Sequence, residues 1–395
     1  MEKKLRILMM IHRQADNSPY CFYVHEQAKA LMARGHEVVV IACMGVLPMM
    51  KRLRPKLYEV NQRTPKHDVI DGIEVYYPRC LTLGNKGEKY LGGRLLAAAA
   101  LPIAKWLHKE KPFDIVHAHM LPRDGHAGML VAKALGIPFA LTVHGTDIFH
   151  YFIPGKTPWP RNQMIAREAD ALMAVSNLLM SRVAPYRGEG KISRIVPNGV
   201  DLSLVPEKTS NTPRSVISVG TLKARKCMDR TLEAFARLAL EYPDAKLTIV
   251  GIGEMEGQLK ARIAELGLCD RVEMTGGLDH EQVLERMANC DLFVLPSWGE
   301  GYGIVYIEAM AAGCISVGAL GEGIEDTITD GENGFLVPAG DIDETERVMR
   351  EVFAHPEKYE ALRRKGQADA RELTWVRNAQ TVEAIYREAI DGFNC

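Results

Sequence analysis

Apolar residues in this chain come in short blocks closed by glycine, proline or a polar residue, with longer stretches of helical spacing between them. Residues 5–11 form the first block and read as a parallel strand. Residues 24–34, stopped by Gly35, read as the helix after it, and residues 37–42 as a second strand. A strand–helix–strand unit of this kind opens a Rossmann-like domain. Further strands are predicted at 114–119, from 140, at 171–176 and at 192–197, then at 215–219, 246–250, 271–275 and 292–295. Residues 91–108 and the amphipathic 375–390 are predicted helices. Residues 44–68 show neither period and are expected to be irregular. Residues 151–160, rich in aromatics and proline, are expected to be a loop.

The block at 292–295 leads into the most informative stretch. The apolar run stops at Pro296, and Gly299, Gly301 and Gly303 follow before a helix expected to begin near Ile304 and end at Gly313. Strand, glycine-rich loop and helix N-terminus make a phosphate site, because backbone N–H groups point outward and the helix dipole favours negative charge. Glu300 lies in the loop and Glu308 about one turn into the helix. Acids are poor neighbours for an anion but strong acceptors for hydroxyls. Phosphate together with hydroxyls suggests a nucleotide sugar. Each acid alone also fits a plainer role, Glu300 as a solvated loop residue and Glu308 as a dipole-stabilised helix residue.

Other candidates sit at strand ends. Alternation in D-I-V-H-A-H at residues 114–119 puts His117 and His119 on one face, with His119 nearest the C-terminal end, where ligands of open parallel sheets collect. His144 and Asp147 follow the strand from Ala140; Asp147 equally fits an N-cap or turn residue. The strand 215–219 flows into Gly220, Thr221 and the basic pair Arg225 and Lys226, which suits a diphosphate whose charge grows as it leaves.

The string S-x-x-E-G-x-G-x-x-x-x-E-A-M-A-x-G, with Glu300 and Glu308 separated by seven residues, resembles the E-x7-E signature of the retaining glycosyltransferases of family 4. The resemblance runs from about residue 5 to residue 390. It implies an α/β chain of the GT-B type, two Rossmann-like doubly wound domains facing each other across a cleft. The expected division is 1–197 as an acceptor-binding domain, 198–372 as a nucleotide-sugar-binding domain, and 373–395 as a helix crossing back to the first. The resemblance places Glu300 by the donor sugar, the Gly303 and Ile304 amides by the diphosphate and Glu308 on the ribose. Gly220, Thr221, Gly253, Gly277, Gly301, Tyr302 and Val305 join the donor site. Lys226 matches the family's phosphate-binding lysine in G-R-x-x-x-x-K-G, and Arg225 is taken as a second cation. Thr221 stands where arginine is common and Cys227 where glycine is common. The strings D-I-V-H-A-H and T-x-H-G-x-D resemble cleft-facing strings, so His119 is expected near the transferred sugar, with His144, Asp147 and Asn17 orienting sugar or acceptor. The Gly-Gly pair common in the family's first loop is missing, which puts contacts inferred from that loop, Asn17 included, in doubt. Catalysis is expected to rest on Glu300, His119, Arg225 and Lys226.

Composition narrows this further. A chain of 395 residues, 47% hydrophobic and 25% charged, is that of a globular protein of two or three domains. The net charge of −1 hides a polarity: residues 1–200 hold 28 Lys and Arg against 16 Asp and Glu, a net of +12, which leaves −13 for the remainder. Such asymmetry suits a face meeting an anionic surface, and the basic residues of 44–68 lie among Met and Leu, which suits a peripheral membrane contact and equally a mobile substrate loop or a solvated surface loop. No zinc finger or RNP-like strand is found, so nucleic acid is not expected as a partner. The eight scattered cysteines show no metal spacing and suggest small core residues in a reducing cytoplasm. The N-terminus reads as a strand, not a signal peptide, and no run reaches the ~18 apolar residues of a membrane span.

The expected reaction is transfer of a hexosyl unit from a nucleoside diphosphate sugar, UDP- or GDP-linked, to an acceptor hydroxyl with retention, in polysaccharide, cell-envelope or glycolipid synthesis. No nucleophilic carboxylate stands out, so same-face attack assisted by the leaving phosphate is preferred. No Asp-x-Asp metal motif stands out, and neither metal nor further cofactor is expected. The alternatives are a nucleotide-sugar epimerase of the same fold, a glycogen- or sucrose-type synthase with a soluble acceptor, and a non-catalytic sugar-nucleotide-binding protein.

Overall fold

The structure, a computed structural model, describes residues 3–12, 20–47, 50–82, 84–153, 155, 159–207 and 214–394. The chain divides into two compact units, Met1–Pro197 with Trp375–Cys395, and Asn198–Thr374. The return to the first unit was expected after residue 372 and comes two residues later. Leu373 and Thr374 stay with the second unit because the Val200 N–H donates to the Leu373 carbonyl at 2.8 Å and Val200 bridges to Thr374.

The first unit is built on strands β1 (Arg6–His12), β2 (Glu37–Val46), β3 (His67–Ile70), β4 (Ile73–Tyr76), β5 (Arg79–Leu81), β6 (Ile115–His119), β7 (Phe139–Val143), β8 (Ala171–Ala174) and β9 (Ile192–Ile195). Their order is β3-β4-β2-β1-β6-β7-β8-β9, with β5 on the end of β2, and among the described residues only β3–β4 is antiparallel. β1, β6, β7 and β8 are almost wholly buried, as strands covered by helices on both faces must be.

Residues 44–68 are more ordered than expected. β2 continues to Val46 because its last residues pair with Arg79–Leu81, and helices Met50–Leu53 and Pro55–Arg63 follow. Pro55 at the first helical turn pre-sets that backbone, while the surrounding Lys and Arg hide the helical period. The helix predicted at 91–108 spans Gly84–Glu110 with Pro102 inside it. The stretch 151–160 is not one loop. Tyr151 ends the helix Thr146–Tyr151 and Trp159 begins the helix Trp159–Glu168, with Phe152, Trp159 and Tyr186 packed together between.

The C-terminal helix Trp375–Asn394 is a working part of this unit. Gln27 donates to Asn378 at 2.8 Å, Asn378 to the Pro197 carbonyl at 2.7 Å, and Arg34 to Glu383 at 2.7 Å. Burial would raise the Glu383 carboxyl, but hydrogen bonds from Arg387, His36 and Arg34 hold it down at about 2.

The second unit carries β10 (Ser215–Val219), β11 (Lys246–Val250), β12 (Val272–Gly276), β13 (Leu292–Val294), β14 (Ile315–Ala319) and β15 (Phe335–Val337), all parallel, in the order β12-β11-β10-β13-β14-β15. Order reverses between β10 and β13, as it does between β1 and β6 in the first unit, and the crevice outside such a reversal is where open α/β sheets bind ligands. Among the described residues no helix is long and apolar enough to cross a membrane. Among the described residues six cysteines are buried and Cys269 is exposed.

Candidate functional site

In the second unit the two loops leaving β10 and β13 are tied to each other. The Trp298 N–H donates to the Arg225 carbonyl at 2.9 Å, and Arg225 Nη1 returns a bond to the Gly299 carbonyl at 3.3 Å. Lys226, in a short 3-10 turn over Ala224–Lys226, donates directly to Glu300 Oε2, and Arg225 Nη1 stands 3.8 Å from the same oxygen. The pair is well covered, its side chains keeping 10% and 14% of their exposure. The acid assigned to the sugar and the cations assigned to the diphosphate are thus bonded to one another.

A second acid holds the loop itself. Glu322 accepts the Gly299 N–H at 2.9 Å and the Glu300 N–H at 2.6 Å, one on each oxygen. Burial raises its carboxyl above the ordinary range, and these two N–H groups oppose the shift. The Gly323 N–H donates to the Glu300 carbonyl at 3.0 Å. The backbones touch so closely here that a methyl group on Gly323 would stand 2.0 Å from the Gly301 oxygen.

The helix begins at Ile304, as its spacing predicts, and runs to Ala311. Gly303 precedes it at φ +80°, a conformation that costs glycine little. Ile304 and Val305 lie half-buried in the first turn, where N–H groups have no intrahelical acceptor. Glu308 is buried on the same helix and accepts from His280 Nε2 at 2.7 Å. Gly301 and Tyr302 are buried; the Tyr302 phenol reaches Thr327 at 3.2 Å, so its side chain belongs to the interior and only its main chain can face a ligand. Gly220 closes β10 with its N–H on the Val250 carbonyl, Thr221 is exposed beside it, and Gly253 lies against the main chain of Leu222. Gly277 is exposed just past β12. Cys227, where glycine is common, keeps the left-handed backbone at φ +52° with its thiol buried and raised to about 11 by that burial. A cavity of about 480 Å³ opens at the other end of this sheet, beside the strand starts at Ser215, Lys246 and Val272, away from all these groups.

In the first unit His117 and His119 share a face of β6, their rings 4.1 Å apart. His117 is fully committed, to the Tyr386 hydroxyl at 2.6 Å and the Thr142 hydroxyl at 2.7 Å. His119 Nδ1 meets His144 Nε2 at 3.1 Å, and Tyr23 stacks on His144 with ring centres 4.0 Å apart. Among the described residues, His119 Nε2 and His144 Nδ1 are buried without a hydrogen-bond partner. Burial lowers all three histidines, His119 to about 3, so the cluster is neutral at ordinary pH. Asp147 takes the turn role: its oxygens accept the N–H groups of Gly145 at 2.8 Å and of His144 and Leu121 at 3.1 Å, which leaves it little to offer a sugar. Asn17 lies outside the described residues.

Several residues escaped the sequence reading. Glu322 is one of them, its partners lying 22 and 23 residues away. His280 follows the N-cap of a helix with a capping box at Asp279 and Gln282, a signal that reads as an ordinary helix start. His12, at the end of β1, bonds the buried Asp124 at 2.6 Å, a pairing that no local pattern announces.

The sequence matches the family described as Glycosyltransferase Family 4 over residues 22–204 and that described as Glycosyl transferases group 1 over residues 204–369. A glycogen synthase of Mycobacterium tuberculosis is 25% identical over 391 residues, covering 94% of this chain and 91% of its own. An MMP alpha-(1->4)-mannosyltransferase of Mycolicibacterium hassiacum is 27% identical over 296 residues, with 70% and 71% covered. Among solved structures, a sucrose-phosphate synthase from Thermosynechococcus elongatus superposes with a TM-score of 0.78 at 18% identity, covering 98% of this chain and 100% of that one. Anabaena HepE in complex with UDP and glucose superposes at 0.70 and 20% identity, covering 97% and 100%.

Proposed function

Because the chain belongs to the family 4 glycosyltransferases, of the GT-B fold, we propose that it moves a hexosyl unit from a nucleoside diphosphate sugar to an acceptor hydroxyl with retention at the anomeric carbon. The observation that carries the donor assignment is the meeting of Lys226, Arg225 and Glu300 beside the N-terminus of the Ile304–Ala311 helix, at the strand-order reversal of the second unit. A diphosphate there has two cations and free N–H groups to balance the charge that grows on the leaving oxygen. Fixed cations can do this without Mg²⁺, and we assign the reaction no metal.

Glu308, held by His280, is suited to the ribose hydroxyls, and Glu300 to those of the sugar. His119 offers a neutral, buried nitrogen to a sugar hydroxyl. The acceptor oxygen attacks from the face that the diphosphate leaves, and its proton passes to a leaving phosphate oxygen, so no carboxylate nucleophile is needed. The basic first half of the chain suits a lipid-linked or cell-envelope acceptor at an anionic membrane surface.

The deciding experiment is a thermal-shift panel of UDP, GDP, ADP, CDP and TDP on the wild type and on Lys226→Ala, with UDP or GDP expected to bind. A ligand of the native state must raise the melting temperature. A shift with one base, lost in Lys226→Ala, supports the donor site; no shift at millimolar concentration with any base refutes it. Proton NMR of the product's anomeric coupling tests retention, turnover in EDTA tests metal independence, and flotation with anionic vesicles at low salt tests the membrane contact.

A further inference from the structure

The second unit's site is neutralised from within. Lys226 is bonded to Glu300, Arg225 is within 3.8 Å of the same oxygen, and Glu322 supplies a second carboxylate a few bonds away. The two acids differ in what holds them. Glu322 is tied by both oxygens to main-chain N–H groups, whereas the Glu300 carboxylate meets the side-chain cations Lys226 and Arg225 through one oxygen. A diphosphate brought to Lys226 adds negative charge to a place where Lys226 already has an anionic partner. Only Glu300 can give way.

We propose that Glu300 is an internal stand-in for the donor phosphate: the diphosphate displaces its carboxylate from Lys226, and the released carboxylate then turns to the sugar hydroxyls. This rests on the donor-site reading above and deepens it, since it couples recognition of the sugar to arrival of the diphosphate. Glu322 gives the exchange its pivot. By holding the Gly299 and Glu300 N–H groups it keeps the main chain still while the side chain swings. A free sugar cannot recruit Glu300, because nothing then replaces the anion on the well-covered Lys226; leaving that ammonium unpaired is costly. The site therefore selects sugars carried on a nucleoside diphosphate over the same sugars alone.

The exchange predicts an affinity change opposite to that expected when a binding residue is removed. Taking away Glu300 should tighten binding of the nucleoside diphosphate alone, by about fivefold, the order of an incompletely screened ion pair. The test is calorimetric titration of the nucleoside diphosphate that the wild type binds, on wild type, Glu300→Gln and Glu300→Asp. Working near ~0.5 M salt screens charges that are not in contact. Glu300→Asp keeps the charge but draws the carboxylate back from Lys226, so a gain there cannot come from removing a charge. Both variants should bind more tightly than the wild type; if Glu300→Gln does not fold, Glu300→Asp decides alone. A dissociation constant unchanged or raised in the folded variants overturns the exchange while leaving the donor site standing. Failure of the wild type to bind any nucleoside diphosphate removes the donor site itself, and the exchange with it.

Discussion

Gly323→Ala tests the loop that carries Glu300 without touching a charged group. An added methyl group would stand 2.0 Å from the Gly301 oxygen, 2.5 Å from its carbonyl carbon and 2.9 Å from the Tyr302 nitrogen. Non-bonded heavy atoms settle near ~3.5 Å, so one of the two backbones has to retreat by more than about 1 Å. All three obstacles are main chain and cannot rotate aside. The retreat would move residues 301 and 302 next to Glu300, and with them the bond from the Gly323 N–H to the Glu300 carbonyl. Overpacking of this kind costs about 1–3 kcal/mol. For a unit of this size that is a fall in melting temperature of about 2–12 °C. A 1 Å misplacement of a reacting group costs about a hundredfold in rate.

Thermal unfolding and initial transfer rates on Gly323→Ala measure both effects. Gly257→Ala is the control: it lies in the helix Glu256–Glu265 with nothing within 4 Å of the added methyl, and alanine there should be neutral or stabilising by up to about 1 kcal/mol. Wild-type melting and wild-type turnover in Gly323→Ala would refute the close contact and the positioning of Glu300 that depends on it.

Three further outcomes follow from the geometry. Tyr386→Phe strips His117 of one of its two partners inside a fully buried site and should cost about 1–3 kcal/mol, read as a lower melting temperature; an unchanged one contradicts the bond. His119 is lowered to about 3 by burial but titrates near 6.5 when unfolded, so its contribution is full above ~6.5 and is lost as pH falls towards about 3. Between pH 7 and pH 5 that is about 2 kcal/mol, and His119→Gln should show a visibly smaller drop in melting temperature over the same range. His280→Ala removes the donor that holds Glu308 and should weaken nucleotide binding severalfold, with His280→Asn restoring part of it; equal affinity in all three proteins would show that the bond positions nothing.

What could be read in advance follows from what backbone geometry demands. The helix beginning at Ile304 and the stop at Gly313, at φ +91°, follow from glycines that only certain conformations require. Alternation alone put His117 and His119 on one face. Residues 44–68 were opaque because their order comes from pairing with Arg79–Leu81 and from a proline-initiated helix rather than from an apolar stripe. Side-chain partners were opaque for a different reason. His117 meets Tyr386 across 269 residues, and Glu322 reaches back 22 residues to the loop it clamps, distances over which no period carries information. The same limit left Asp147 ambiguous, since an acid just after a turn glycine serves a hydroxyl or three N–H groups equally well until the turn is built; Gly145 at φ +127° builds it so that the N–H groups win. Glu300 shows where this matters most. The resemblance of the string it shares with Glu308 implies a sugar-facing acid, yet in the structure it bonds Lys226, a residue for which the same resemblance implies phosphate. Both assignments hold together only if the carboxylate changes partner when the donor arrives, so the chemistry of this site lies in an exchange between residues that the linear pattern could name only one at a time.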